Sequence, residues 1–475
     1  MISLEQLRPC LEGVIPATVA TCGADGIPNA TYVSQMQYVD SQHVALSFQF
    51  FNKTRENVLA NPQVTAQLID PLTAESYRLS LLYLRTETEG AVFQPMKARL
   101  AGIASLTGMT GVFKLQGADV YRVQAIERVP GGALPRPAAL NRLSALRQAS
   151  AQLAACSELD ALCDLALAQL AQQFGVSHAM LLMADEPGQR LYTVASRGYS
   201  ATGVGSEVAY GDSVIGVAAA YRVPIRINHM TVEYGYGRVA LDGASAHCFP
   251  LETEITFPGL AEPHSQLAVP MIAAGRLLGV LCVESPQDRR FSYHDEDALA
   301  ALAGLLASAT LALQQAPDSG SAAPAPPPAQ PGASGARSAP TQVPQVPQVP
   351  QVPQVAEMHD VPEVPADLPL EVRHYRATHS IFVGNGYLIK GVAGAILWKL
   401  LVAQKESGRC DFSNRELRAA TDLGLPEISD NLEARLVLLQ RRLAERCPAI
   451  GLHKTGRGLF QLSLLRTLRL VDIDG

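Results

Sequence analysis

Residues 265–285 read SQLAVPMIAAGRLLGVLCVES. Two apolar runs flank Ala273-Ala274-Gly275, a turn signal, so Ser265–Ile272 and Arg276–Ser285 are expected to pair as a hairpin. Just downstream, FSYHDEDALAALAGLLA opens a helix expected over Tyr293–Leu313. Upstream, Gly211–Ile225 reads as a loop, a short helix and an edge strand. Strands are expected at His178–Ala184 and Arg190–Ser196, around the turn Glu186-Pro187-Gly188. A Leu- and Ala-rich helix, Leu140–Phe174, is expected to break near Ser157-Glu158.

This order resembles a GAF domain over residues 140–315, with GVAAAYRVPIRI (216–227) fitting its middle. The resemblance implies an α/β/α sandwich whose ligand cavity lies opposite the terminal helices, and a sensory or dimerising role. The Asn-Lys-Phe-Asp-Glu signature of cyclic-nucleotide-binding members is absent, and no Cys stands in a bilin-attachment context, so the ligand stays open. A long insert between His229 and His264 carries His247, Cys248, Glu252, Glu254 and Glu262. Their spacing matches no metal signature, so the expectation is a lid without a metal.

Residues 1–131 are strand-rich. Val14–Thr21, Pro28–Gln35 and His43–Phe48, separated by turns, read as an antiparallel meander. Thr54 reads as the N-cap of a short helix that stops at Asn61-Pro62, followed by a strand over Val64–Ile69. At Asn52-Lys53-Thr54 a helix N-terminus, a Lys and a hydroxyl come together, which suits either a phosphate or simple helix capping. Tyr83–Gly90 is polar and reads as a solvated loop that could line a site.

This segment resembles the flavin-binding split barrels of the pyridoxamine 5'-phosphate oxidase-like superfamily. Ser47, Phe50, Asn52, Lys53 and Thr54 match the stretch that, in the family, holds the FMN phosphate and flanks the isoalloxazine ring. The resemblance implies FMN as cofactor. A counterpart of the basic cluster that grips pyridoxal phosphate is missing, so cofactor binding is expected before that particular oxidation.

From residue 316 to 368 the composition changes. This stretch holds 13 of the 32 prolines, no aromatic residue, and a Gln-Val-Pro repeat over Gln342–Val355. It cannot bury enough apolar surface to offset its ordering entropy, and a Pro every third residue favours extended polyproline II. It reads as a disordered Pro-rich linker, with a Pro-rich ligand as the other reading.

The tail, 369–475, begins with a hairpin around Gly384-Asn385-Gly386. A helix over Val392–Lys405 carries Trp398. Ser413 and Glu416 form a capping box for a helix over Asn414–Ala420. A long helix, about Ile428–Arg446, carries Leu432, Leu436, Leu439 and Leu443 on one stripe. A basic hairpin follows, Ile450–His453 with Leu459–Leu462. Residues 431–462 resemble the recognition helix and wing of OmpR/PhoB-type winged helix-turn-helix regulators. On that match Arg435, Arg441 and Arg442 would meet DNA from the helix, and Lys454 and Arg457 from the wing. The face opposite the leucines is partly apolar, with Val437 and Leu438, which departs from the family.

Charge divides along the same boundary. The tail from Leu370 holds 16 Lys and Arg against 11 Asp and Glu, a balance of +5; with −6 overall, residues 1–369 carry −11. Eight cysteines without a C-x-x-C pair point to reduced thiols and a cytoplasmic protein. Cys156 and Cys163, seven apart, read as core residues of one helical face. No apolar run reaches the roughly 18 residues of a membrane span, and the N-terminus lacks a secretion signal.

The expected fold is therefore multidomain α+β: a split β-barrel (1–131), a GAF sandwich (140–315), the linker (316–368) and a winged helix (369–475). The expected function is a homodimeric signal-sensing regulator whose flavin or GAF ligand controls a DNA-binding output. The alternative is an FMN-dependent oxidoreductase with regulatory GAF and winged-helix parts. Neither reading identifies catalytic residues.

Overall fold

The computed structural model describes residues 2–11, 15–33, 36–48, 53–106, 114–136, 141–228, 255–315, 369–420, 423 and 431–473. Phe50, Asn52, the linker, and most of the His/Cys-bearing insert with its His229, His247 and Cys248 lie outside them. So do Ile428–Asp430, the expected first residues of the long helix.

The first sheet runs in the order β2-β1-β5-β6-β7-β4-β3, every neighbouring pair antiparallel. Its strands are β1 (Ala17–Cys22), β2 (Pro28–Val33), β3 (Met36–Tyr38), β4 (His43–Phe48), β5 (Gln63–Ile69), β6 (Ser76–Glu87) and β7 (Gly117–Val129). Apolar residues at alternate positions, such as Val64, Ala66 and Leu68 on β5, meet Leu79, Leu81 and Tyr121, and Leu4 and Leu7 of a 3-10 helix close the core. Two elements depart from expectation. The polar Tyr83–Glu87 is the end of β6, paired to β7 through two register shifts, and not a solvated loop. Helix α2 (Gly90–Leu106) follows it directly. Short helix α1 (Lys53–Ala60) lies between β4 and β5, and it begins one residue before Thr54, which is therefore in its first turn and not its N-cap.

The second sheet, β10-β9-β8-β13-β12-β11, is also antiparallel. It comprises β8 (His178–Asp185), β9 (Arg190–Arg197), β10 (Glu207–Ala209), β11 (Ile225–Ile227), β12 (Ser265–Ala273) and β13 (Arg276–Ser285). The expected hairpin is the β12–β13 pair, its turn passing through Ala274 and Gly275 at positive φ. Helices α3 (Arg142–Leu153), α4 (Leu159–Phe174) and α6 (Tyr293–Gln315) share a core with one face of this sheet; α5 (Ser213–Tyr221) shares one with the other. The break between α3 and α4 falls where Ser157-Glu158 signalled it. Cys156 therefore sits in the break rather than on the face that buries Cys163. Ala98 of α2 belongs to the α5 core, and a Cβ on Gly102 would stand 2.7 Å from Ile225. That glycine lets α2 seat on the second sheet.

Helix α6 is, by length and composition, apolar enough to cross a membrane, unlike anything the apolar-run reading anticipated. Its first turn carries Asp295 and Glu296, and Leu299, Leu302 and Leu306 are buried in the core around the second sheet.

The tail forms two small sheets. The order β16-β15-β14-β20 comprises β14 (Leu370–Tyr375), β15 (Ser380–Val383), β16 (Gly386–Ile389) and β20 (Leu468–Ile473), with β14 and β20 parallel. The order β17-β19-β18 comprises β17 (Asp411–Ser413), β18 (Ile450–Gly456) and β19 (Leu459–Leu464). Between them lie α7 (Gly391–Ser407), α8 (Asn414–Ala419) and α9 (Leu432–Arg446). The Ser413–Glu416 capping box forms as read, and Leu432, Leu436, Leu439 and Leu443 are all buried. One continuous apolar core runs from α3, α4 and α6 into the tail through Leu436, Val437 and Leu438. Long curled antiparallel sheets with helices on their faces fit a split barrel followed by a GAF domain.

Candidate functional site

Two places bring the singled-out residues together. The first is the start of α1. Lys53 and Thr54 occupy its first two positions, where backbone N–H groups lack intrahelical partners. Thr54 Oγ1 accepts a hydrogen bond from Asn29 Nδ2 at 2.8 Å, leaving its own O–H to donate elsewhere. The half-exposed Lys53 ammonium lies 3.6 Å from Glu56, a loose pair that a phosphate could displace. Ser47, partly buried on β4, is in register with Ala118 of β7. The donor set therefore fits the phosphate end of FMN. Phe50 and Asn52, the other two residues of the expected flavin stretch, lie outside the described residues.

Sequence reasoning missed a part-buried polar cluster around the next residue. The Arg55 guanidinium pairs with Asp119, donates to Thr86 Oγ1 at 2.7 Å, and lies 4.7 Å above the Phe48 ring. Thr86 donates to Asp119 at 2.6 Å, and Tyr83 shares a 2.8 Å hydrogen bond with Thr86. Burial disfavours the Arg55 charge, but the bond to Asp119 outweighs it and the pKa rises. Burial also raises the phenol of Tyr121, which meets Tyr83 edge-on. The signal that could have exposed this cluster was Thr86, in the stretch read as a loop, and Asp119, on a strand the reading left unplaced.

The second place is the face of α9 assigned to DNA. Arg441 donates to Asp160 at 2.7 Å and to Asp164 at 2.7 Å, both on α4, and to the Val194 carbonyl at 3.3 Å. Burial opposes its charge, and the two carboxylates carry its pKa upward nonetheless. Arg435 meets Asp185 at 3.1 Å, and Lys454 pairs with Glu158. Asn431 donates to the Ala184 carbonyl at 2.5 Å, and Thr202 donates to Glu445 at 2.7 Å. Leu438 reaches to within 3.7 Å of where a Cβ on Gly205 would stand. The apolar departure on this face, Val437 and Leu438, thus lies against the second sheet's body. Arg442 points inward instead, donating to the Leu388 carbonyl at 2.9 Å, with its pKa lowered by burial and then by Arg446. Arg457 is exposed. Among the described residues, no group of three or more His, Cys, Asp or Glu could hold a metal ion.

Residues 3–117 match the family model described as pyridoxamine 5'-phosphate oxidase, and residues 158–310 match the GAF domain model. No curated protein matches the chain. Among solved structures, the GAF domain of a phosphoenolpyruvate-protein phosphotransferase from Coxiella burnetii is 21% identical. It covers 37% of this chain and 95% of its own, with a TM-score of 0.29. Free methionine-R-sulfoxide reductase from Neisseria meningitidis is 20% identical over 38% of this chain and 98% of its own, with a TM-score of 0.29. An FMN-binding protein from Syntrophomonas wolfei subsp. wolfei is 19% identical over 28% of this chain and 88% of its own, with a TM-score of 0.24. The chain therefore carries a pyridoxamine 5'-phosphate oxidase-like N-terminal domain and a GAF domain.

Proposed function

We propose that this protein is a signal-sensing regulator. Flavin at the α1 start or a ligand of the GAF domain controls a C-terminal winged helix that binds DNA. The described conformation is its closed state. The observation that carries this reading is the seating of Arg435, Arg441 and Lys454 on Asp185, Asp160, Asp164 and Glu158. A basic surface held by carboxylates cannot neutralise phosphates at the same time. In support, the three helices α7, α8 and α9 are followed by the β18–β19 hairpin, the order that a winged helix requires. The pyridoxamine 5'-phosphate oxidase match and the Lys53–Thr54 donor set support FMN as cofactor. When bound, FMN would supply one- or two-electron redox chemistry; Lys53, Thr54 and the first N–H groups of α1 would hold its phosphate.

The test is charge reversal in the full chain. Asp160→Lys with Asp164→Lys should raise affinity for mixed duplex DNA at least tenfold at low salt, and that gain should shrink steeply as salt rises. Unchanged affinity would sink the closed-state reading. An absorbance spectrum of the purified protein tests the flavin directly, since a colourless preparation contradicts it. The second reading, an FMN-dependent oxidoreductase, is favoured by the Arg55–Asp119–Thr86–Tyr83 cluster beside the same helix. Turnover of a nicotinamide or other oxidisable substrate by a yellow preparation would select it.

A further inference from the structure

Between the GAF domain and the tail lies a cleft of about 400 Å³, with an adjoining lobe of about 330 Å³ that shares Arg190, Glu207, Tyr387 and Lys390. Each is within the size range of small-molecule sites, about 300–1,000 Å³. The Arg435 side chain lines it and is only 8% exposed. Its Nη2 is engaged by Asp185, whereas its Nη1 is buried and has no hydrogen-bond partner among the described residues. A buried charged donor left without an acceptor carries an uncompensated desolvation cost, which an incoming acceptor would recover.

The rest of the lining favours the same kind of guest. Glu207 is shared between Arg190 at 2.8 Å and Lys390 at 3.3 Å, so one carboxylate serves two cations. Three cationic side chains face two carboxylates, Asp185 and Glu207, an excess of one positive charge. Tyr192, Tyr387, Ile389, Val392 and Leu438 supply ring and aliphatic surface. We propose that this cleft binds a small organic anion, a carboxylate or a phosphate ester, with a flat or aliphatic body. Its anionic group pairs with Arg435 Nη1 and the Lys390 ammonium.

This is a different place from the cavity expected of a GAF domain. Tyr192 belongs to the core on the α4 and α6 side of the sheet, whereas α5 and Leu191 belong to the other. The walls come from two bodies: Arg190 and Glu207 from the GAF domain, Tyr387, Lys390 and Arg435 from the tail. A ligand touching both binds the docked arrangement better than an opened one and so stabilises docking. The inference does not depend on what the tail binds when released.

Titration calorimetry of the full chain tests it with three probes: phenyl phosphate, benzoate and inorganic phosphate. One of the two ring-bearing anions should bind with 1:1 stoichiometry, at least tenfold tighter than inorganic phosphate; which one does so identifies the head group. Arg435→Gln should weaken that binding at least tenfold. Because Arg435 also meets Asp185, Thr378→Trp, at an exposed residue of the cleft's lining, provides a second block and should weaken binding equally. Binding that survives either variant overturns the site, as does failure of both ring-bearing anions to bind. Failure of the Asp160→Lys, Asp164→Lys protein to bind DNA would overturn the regulator reading and leave this result standing.

Discussion

At the scale of single residues, Arg441 shows how one side chain joins two bodies. Its guanidinium holds Asp160 and Asp164, which remain 43% and 66% exposed and can rehydrate when it is removed. Arg441→Met is therefore expected to weaken docking by about 1–2 kcal/mol, less than the loss of a fully buried pair. Amide exchange across α9 should accelerate, and unchanged exchange would count against the clamp. His379 gives a pH prediction. Its neighbour His374 is buried, bonded to Asp472 at 2.9 Å and to His379 at 3.2 Å, and stacked on Trp398. Burial, and then the His374 ring, lower the pKa of His379 below its ordinary 6.5. The folded state refuses a proton that the unfolded chain accepts, so stability falls as pH drops below about 6.5 towards the lowered value. His379→Gln should flatten that acid limb in urea titrations; the same slope in both proteins would refute it. The basic character of Arg435 and Arg441 was plain in the sequence, but their carboxylate partners are about 250 to 281 positions away and could not be paired by reading.

Among the elements, legibility followed local chemistry. The β12–β13 hairpin, the α3–α4 break and the Ser413–Glu416 capping box rest on short-range signals, and the structure has all three. Strand β6 was misread because it alternates only as far as Leu82; beyond that its side chains are half-exposed or exposed, as in a loop. Helix α2 escaped notice because Gly90 opens it, Pro95 sits inside it, and its apolar residues divide between two cores, Phe93 and Met96 in one and Ala98 in another. Helix α7 offers a test of close approach. A Cβ on Gly394 would stand 1.9 Å from the His379 carbonyl oxygen, a backbone atom with little room to give. Gly394→Ala should destabilise the tail by about 1–3 kcal/mol despite alanine's better helix propensity. A denaturation midpoint equal to or above the parent's would contradict this packing.

Across the whole molecule, docking combines two kinds of force. Lys454–Glu158 and Arg441–Asp164 have exposed partners and weaken as salt shortens the screening length to about 3 Å at 1 M. Val437 and Leu438 are buried, and the apolar effect that holds them is not screened. High salt should therefore loosen the tail only in part, read as a partial loss of exchange protection in α9. Complete release, or no change at all, would each contradict that balance. The division of charge, −11 against +5, was visible in composition. The seating of one part on the other was not, because it needs both folded surfaces at once.

The parallel pairing of β14 with β20 bears on the order of synthesis. Leu370–Tyr375 lacks its second neighbour until Leu468–Ile473, the last described strand, has been made. Closing that pair joins segments some 98 positions apart, among the slower kinds of folding step. By then the ribosome has long since delivered every strand of the first two sheets. The carboxylates of α4 are thus in place before α9 can present its arginines in a finished tail. A chain truncated before residue 468 would keep every strand of the first two sheets but lack β20, so β14 could not gain its second neighbour.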